Sequence, residues 1–195
     1  MTRGIPIDDA REVVARCWGF SSFLPNQERA VAAVLAGRDS LVVLPTGGGK
    51  SICFQAPALV LDRLAVVVSP LISLMKDQVD GLRTVGVAAD CYHSAMTADE
   101  RRAVVRRLRE GRSRLLYVSP ERLVGEGGAP FLDLVRQAAP AYVAIDEAHC
   151  ISHWGHGFRP EYRLLGNLRQ MLPGISVHAF TATATERVRA DIVAQ

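Results

Sequence analysis

Charge of one sign is scarce in this chain. Twenty-three Lys and Arg stand against 20 Asp and Glu, leaving +3 over 195 residues, so the totals alone single out no polyanionic partner. Cysteine is scarce too. Cys17, Cys53, Cys91 and Cys150 are scattered with no C-x-x-C pair, which argues against a zinc ribbon or a disulfide framework. Reduced thiols in a cytosol are the simplest account. No apolar run approaches the length that spans a bilayer. The opening Met1-Thr2-Arg3-Gly4-Ile5-Pro6-Ile7-Asp8-Asp9 lacks the apolar core of a signal peptide. Internal repeats, linkers and low-complexity segments are missing as well. These absences lead us to expect a soluble, intracellular, single-domain protein. Its length and its 49% of hydrophobic residues suffice for a real core.

What is present centres on Leu44-Pro45-Thr46-Gly47-Gly48-Gly49-Lys50-Ser51. An apolar run, Leu41-Val42-Val43, precedes it, and Ile52 to Ala56 can continue as a helix. Strand, glycine loop and helix in that order are what a phosphate-binding loop needs. Glycines let successive N–H groups turn inward onto phosphate oxygens beside the positive end of the helix. Lys50 is then placed for the β- and γ-phosphates and Ser51 for Mg²⁺, with Thr46 and Gly47 to Gly49 lining the cradle. Leu44 stands where the usual pattern has Gly, which points away from kinases and small GTPases. The Gly-Lys-Ser core is intact.

Further β-rich runs, Ala65–Ser69, Val87–Tyr92, Arg114–Ser119, Ala141–Ile145 and Ser176–Phe180, alternate with helical stretches. Several are apolar throughout, as strands buried on both faces of a parallel sheet read. The fold class is α/β: a mostly parallel sheet with helices on both faces and ligands at the carboxyl ends of the strands. Asp8 or Asp9 is expected to cap a first helix ending near Gly19. Pro25 lies near the start of a second, and Thr97-Ala98-Asp99-Glu100 opens another as a capping box. Gly125 to Gly128 reads as a flexible loop. Seven arginines between Arg101 and Arg114 read first as a solvated helix face, with DNA-backbone contact the minor alternative.

Val143-Ala144-Ile145-Asp146-Glu147-Ala148-His149 places two carboxylates at the end of an apolar strand. In a phosphate-loop protein Asp146 holds Mg²⁺ and Glu147 orients or deprotonates the attacking water. Immediately after come Cys150 to Tyr162, in which Trp154, Phe158, Tyr162, His153, His156 and Arg159 are interleaved with glycines. A metal site from His149, Cys150, His153 and His156 is one reading. Gly155 and Gly157 favour another, a loop whose rings stack on bases and whose Arg159 meets phosphate.

Together these motifs resemble the first RecA-like lobe of a RecQ-family DNA helicase of superfamily 2, from about Trp18 onward. The resemblance implies an adenine-reading Gln27 and an adenine-stacking Phe20. It implies DNA contacts from Ser69, Pro70, Lys76 and Gln78, from Ser119 and Arg122, and from His153, Trp154, His156, Phe158 and Arg159. It makes Thr181 and Thr183, in Phe180-Thr181-Ala182-Thr183-Ala184-Thr185, the link between hydrolysis and lobe movement. The implied cofactors are ATP and Mg²⁺; the implied partner is DNA, as single strand and fork-like duplex, in a cytoplasmic, nucleoid-associated setting. Leu24 stands where the family usually has an arginine beside adenine, which points to looser base selectivity. Gly157 replaces an aspartate common in the loop, which bears on DNA coupling. The motifs cover only the ATP-binding lobe over 1–195, without the family's second lobe, zinc module or winged helix. Activity is therefore expected to be nearly absent from this chain alone. An RNA helicase and a non-catalytic nucleotide- or DNA-binding module remain the rival readings.

Overall fold

Six short strands form where the apolar runs lie, and each can be apolar throughout because helices cover both sides. The computed structural model describes residues 7–195; the signal-peptide reading over Met1 to Pro6 lies outside the described residues. The strands are β1 (Ser40–Val43), β2 (Ala65–Val68), β3 (Ala89–Tyr92), β4 (Leu115–Val118), β5 (Tyr142–Ile145) and β6 (Ser176–Thr181). All pair in parallel, in the order β1-β6-β5-β2-β4-β3. The helices are α1 (Ile7–Trp18), α2 (Gln27–Leu35), α3 (Lys50–Val60), α4 (Ile72–Thr84), α5 (Ala98–Arg109), α6 (Pro120–Leu123), α7 (Ala129–Gln137), α8 (Pro160–Arg163), α9 (Leu168–Met171) and α10 (Glu186–Ala194).

Strand side chains alternate between two cores, as a period of two requires. Val66, Val68, Leu116, Val118, Val143 and Ile145 pack with Val104, Leu108, Val135, Leu168, Val188 and Ile192, from α5, α7, α9 and α10. Ala65, Val67, Leu115, Tyr117, Tyr142 and Phe180 pack with Val31, Phe54, Met75 and Val79, from α2, α3 and α4. Both faces of the central strands are closed, and every side chain of β2, β4 and β5 is buried.

The expected helix starts need adjustment. α1 has already begun at Ile7, so Asp8 and Asp9 occupy its first turn, where carboxylates favour the helix dipole but do not cap. Gly19, at φ +73°, ends it as expected. Asn26, also left-handed at φ +69°, separates Pro25 from α2. The capping box forms as expected: Thr97 Oγ1 accepts from the Glu100 amide and the Glu100 carboxylate from the Thr97 amide. Gly125–Gly128 is a hydrogen-bonded turn between α6 and α7, the Gly128 amide donating to the Gly125 carbonyl at 2.9 Å.

The arginine run divides in two. Arg102, Arg112 and Arg114 pair with exposed or half-exposed acids, the solvated face expected of them. Arg107 instead reaches in to Asp90 of β3, which is 3% exposed, at 2.5 Å. Burial pushes the Asp90 carboxyl up, but hydrogen bonds from Arg107 and Ser113 outweigh it and hold the group below its ordinary range.

Candidate active site

Phosphate-loop geometry is set by three anchors. Leu44 is buried at 5% exposure, and its amide continues the β1–β6 ladder by donating to the Thr181 carbonyl at 3.1 Å. A leucine in place of glycine thus pins the loop's first residue into the α2–α4 core. Gly48 donates to the Pro45 carbonyl at 2.9 Å, and a Cβ on Gly48 would lie 2.9 Å from that oxygen. Gly49, at φ +67°, closes the loop into α3, and a Cβ there would stand 2.1 Å from Gln27 Nε2. Both positions require glycine, for space at one and for space and conformation at the other. Lys50 Nζ lies over the loop, 3.2 Å from the Leu44 carbonyl, and Ser51 follows it in the first turn of α3.

Gln27 is turned onto this loop. It is 4% exposed; its Nε2 donates to the Gly48 and Gly49 carbonyls at 3.0 and 3.2 Å, and its Oε1 accepts from the Leu24 amide at 2.7 Å. The predicted adenine reader therefore braces the phosphate cradle, a contact across 21 and 22 residues of sequence. Phe20 is 53% exposed nearby in sequence, its ring free for stacking.

Asp146 and Glu147 follow β5, and β6 lies between β5 and the strand that carries the phosphate loop. Asp146 is 8% exposed, and its Oδ1 accepts from the Glu147 amide at 2.9 Å. Burial first, and then the charge of Glu147, push the Asp146 carboxyl up to about 6. Glu147 itself sits at φ +50°, a left-handed conformation costing on the order of 1 kcal/mol for a residue with a side chain. That twist brings its carboxylate to His149 Nδ1 at 3.2 Å, and the hydrogen bond holds Glu147 below its ordinary range. His149 moves the other way, up to about 9, through Cys150 and then Glu147.

His149 Nδ1 is also 3.0 Å from Thr181 Oγ1, which donates to the Thr183 carbonyl at 3.1 Å. Since the threonine proton is committed to that carbonyl, the histidine supplies the other and Nδ1 carries hydrogen. A continuous polar path thus runs from Glu147 through His149 to Thr181 and Thr183. Spacing along the chain gave no sign of it.

Residues expected to meet DNA divide by exposure. Lys76, His153 and Trp154 are exposed, as is His156, and Arg122, Phe158 and Arg159 are half-buried. His153 and Phe158 pack with ring centroids 4.0 Å apart and planes tilted by 30°, and His149 and His156 stack at 4.1 Å. Arg159 Nη1 donates to the Pro70 carbonyl at 3.2 Å, joining the aromatic-rich loop to the segment after β2. Ser69 and Ser119, by contrast, are buried at 1% and 4%, with hydroxyls that touch no partner and do not reach the surface. Gln78 is tied to Gln55, whose amide also donates to Tyr117. A Cβ on Gly157 would lie 3.2 Å from His149 Nε2, so the small residue leaves that ring uncrowded. Among the described residues, no group of three His, Cys, Asp or Glu side chains converges to hold a metal ion.

The model of the DEAD/DEAH box helicase family matches residues 24–192, nearly the whole length. The chain belongs to the DEAD/DEAH box helicase family. This helicase-family chain is similar to the ATP-dependent DNA helicase RecQ of Pasteurella multocida, with 47% identity over 184 residues, covering 94% of the chain and 29% of the relative. It is 48% identical over 183 residues to ATP-dependent DNA helicase Q4 of Homo sapiens, covering 89% of the chain and 15% of that protein. Against RecQ of Bacillus subtilis the figures are 42% over 188 residues, 95% and 31%. It therefore spans less than a third of the length of these relatives. Among solved structures, the DUF1998 helicase MrfA bound to DNA and AMPPNP superposes with a TM-score of 0.75 at 17% identity, over 100% of this chain and 29% of that one. Mycobacterium smegmatis helicase Lhr bound to ssDNA and AMP-PNP gives 0.69 at 21% identity, over 94% and 25%. At those identities the likeness establishes the RecA-like fold of this helicase-family chain and nothing finer.

Proposed function

We propose that residues 1–195 form the nucleotide-binding lobe of an ATP-driven DNA helicase of the RecQ kind, moving 3′→5′ along a single strand. The observation that carries this reading is the sheet order. It sets the loop after β1, the Thr181–Thr183 segment after β6 and the Asp146–Glu147 pair after β5 side by side at one edge. Relatives named as ATP-dependent DNA helicases are 42–48% identical to this chain over 183–188 residues.

The residues fit Mg-nucleotide. Glycines at 48 and 49 let the loop close tightly, a lysine lies over it, and a carboxylate is buried where a cation would offset its penalty. Mg²⁺ held there by Ser51 and Asp146 would supply positive charge against the charge developing on the phosphates. Lys50 and the Gly47 and Gly49 amides orient the phosphates, while the Gly48 amide is bonded to the Pro45 carbonyl. Ser51 and Asp146 would hold the metal, Phe20 would stack on the base, and Gln27 braces the loop beneath the phosphates. Glu147, held ionised by His149, orients water and takes its proton. The path from His149 to Thr183 ties the state of Glu147 to the segment that moves with the second lobe. Lys76, Arg122, Arg159 and the aromatic-rich loop supply the DNA face. Ser69 and Ser119 are left out of that face, being buried with amides bonded to the Val118 and Tyr92 carbonyls.

One lobe builds one wall of the active site. An arginine from a second lobe, typically worth about 10³–10⁵ in rate, completes it. Residues 1–195 alone are therefore expected to bind Mg-ATP weakly, hydrolyse it barely and unwind nothing. A protein carrying both lobes should separate a duplex with a 3′ single-stranded tail and release phosphate in a DNA-dependent way. Robust unwinding by residues 1–195, or turnover in the longer protein that DNA does not stimulate, contradicts the proposal.

A further inference from the structure

Trp154 is 58% exposed, yet it is not loose. The guanidinium of Arg187 lies over its indole, with Cζ 3.2 Å from the ring centroid. The indole is presented by a tight turn: Trp154 N–H donates to Ser152 Oγ at 3.2 Å, and Gly155 N–H to the Ser152 carbonyl at 3.0 Å. Gly155 is packed so closely that a Cβ would stand 2.2 Å from the His149 carbonyl oxygen. Arg187 comes from α10, which begins at Glu186, directly after the Thr181–Thr185 segment, and is capped by Thr185. Val188 and Ile192 bury that helix in the core, so its outer side chains project from a rigid base. One turn beyond Arg187, Asp191 pairs with Arg163 at 3.0 Å, and Arg163 Nη1 reaches the Ile151 carbonyl at 3.5 Å. A single helix thus grips the aromatic-rich loop at its middle and near both of its ends.

We infer that Arg187 is a positioning residue for single-stranded DNA: it holds one face of Trp154 so that the open face is presented to a nucleobase. The inference rests on the DNA-loop reading above and adds to it a residue that no motif of the sequence marked. Two physical arguments support it. Cation–π stacking immobilises a large aromatic side chain in advance, so a base pays less ordering entropy when it stacks. A base added opposite the guanidinium also completes a three-layer stack in which both indole faces are covered. Because Arg187 lies six positions after Thr181 on a helix fixed to the core, the plate sits on the same element that follows the Glu147–His149–Thr181 path. A guanidinium that only bound phosphate would instead act independently of the indole.

The test is a double-mutant cycle on residues 1–195, with anisotropy of a labelled oligothymidylate as readout. Arg187→Ala should weaken binding about two- to fivefold, the range of an exposed cation–π contact, and Arg187→Lys should recover part of the loss. In a Trp154→Ala background, Arg187→Ala should change nothing further. A second readout uses 5-fluorotryptophan, since the chain contains two tryptophans, Trp18 and Trp154. Arg187→Ala should shift the Trp154 fluorine line before DNA is added and leave that of Trp18 in place, which also shows that the fold is kept. An equal loss in the Trp154→Ala background would mean that Arg187 meets phosphate directly, and overturns the inference. So does an unchanged affinity for Arg187→Ala where Trp154→Ala weakens binding. If Trp154→Ala itself binds oligothymidylate as the parent does, the loop reading falls first and takes the inference with it.

Discussion

Asp146→Asn should make the nucleotide-free protein more stable at about pH 8 while removing its hold on Mg²⁺. Asp146 is almost fully buried, and its carboxyl is displaced from an ordinary 3.8 to about 6, by burial and then by Glu147. Two units correspond to roughly 3 kcal/mol favouring the protonated native form. Because the native value lies above the unfolded one, that contribution is fully present below about 3.8 and lost as pH rises to about 6. Above pH 6 the ionised side chain is a constant burden. Asparagine keeps the shape and an oxygen for the Glu147 amide but carries no charge. Urea unfolding from about pH 4.5 to 8 is the assay. The variant should exceed the parent by about 1–3 kcal/mol at pH 8, with the gap closing towards the acid end. With Mg²⁺ and a non-hydrolysable ATP analogue at about 100 times its dissociation constant, the parent should gain about 2.7 kcal/mol, enough to close or reverse the gap. A variant less stable than the parent by the same margin at every pH would refute the reasoning. The carboxylate would then be an ordinary satisfied core group, not one kept under strain for a cation.

Arg107→Ala should lower stability by about 2–3 kcal/mol in the same assay, because Asp90 is left buried with only Arg83 and Ser113. A loss under 0.5 kcal/mol would place Arg107 with its exposed neighbours. In a protein carrying both lobes, Trp154→Ala should reduce DNA-stimulated ATPase far more than DNA-independent ATPase, since one base stack is worth about 1–3 kcal/mol. A parallel fall in both rates would make the loop a structural element.

The parts of this site that the sequence made legible are those whose partners are close in the chain. Glycine spacing before Lys50, the paired acids at the end of an apolar run and the Thr97 capping box are all local patterns, and each forms where expected. Strand ends shifted by one or two residues, because the last polar residue of a run still bonds into the ladder, as the Ser69 amide does with the Val118 carbonyl. What was illegible depends on β6 lying between β1 and β5. That insertion puts Thr181 against both the Leu44 amide and His149, and carries α10 across to Trp154. Leu44 read as a departure from the usual loop because only the fold shows the core pocket it fills. Asp90 lies inside a β-rich run, and nothing local marks it because its arginine is 17 positions away. Ser69 and Ser119 carry the opposite lesson: a motif can match while the fold turns its side chains inward.

The central claim is that the Gly47–Ser51 loop of this chain holds Mg-nucleotide through Lys50. Calorimetric titration of residues 1–195 with a non-hydrolysable ATP analogue and Mg²⁺, beside Lys50→Ala, tests it directly. Lys50 is half-buried and its ammonium bonds to the Leu44 carbonyl, so the variant should keep its fold. Loss of a charge-assisted contact to phosphate should weaken binding about tenfold or more. One site in the parent, with affinity strongly reduced in Lys50→Ala, is the predicted result; equal affinity in parent and variant would contradict the account.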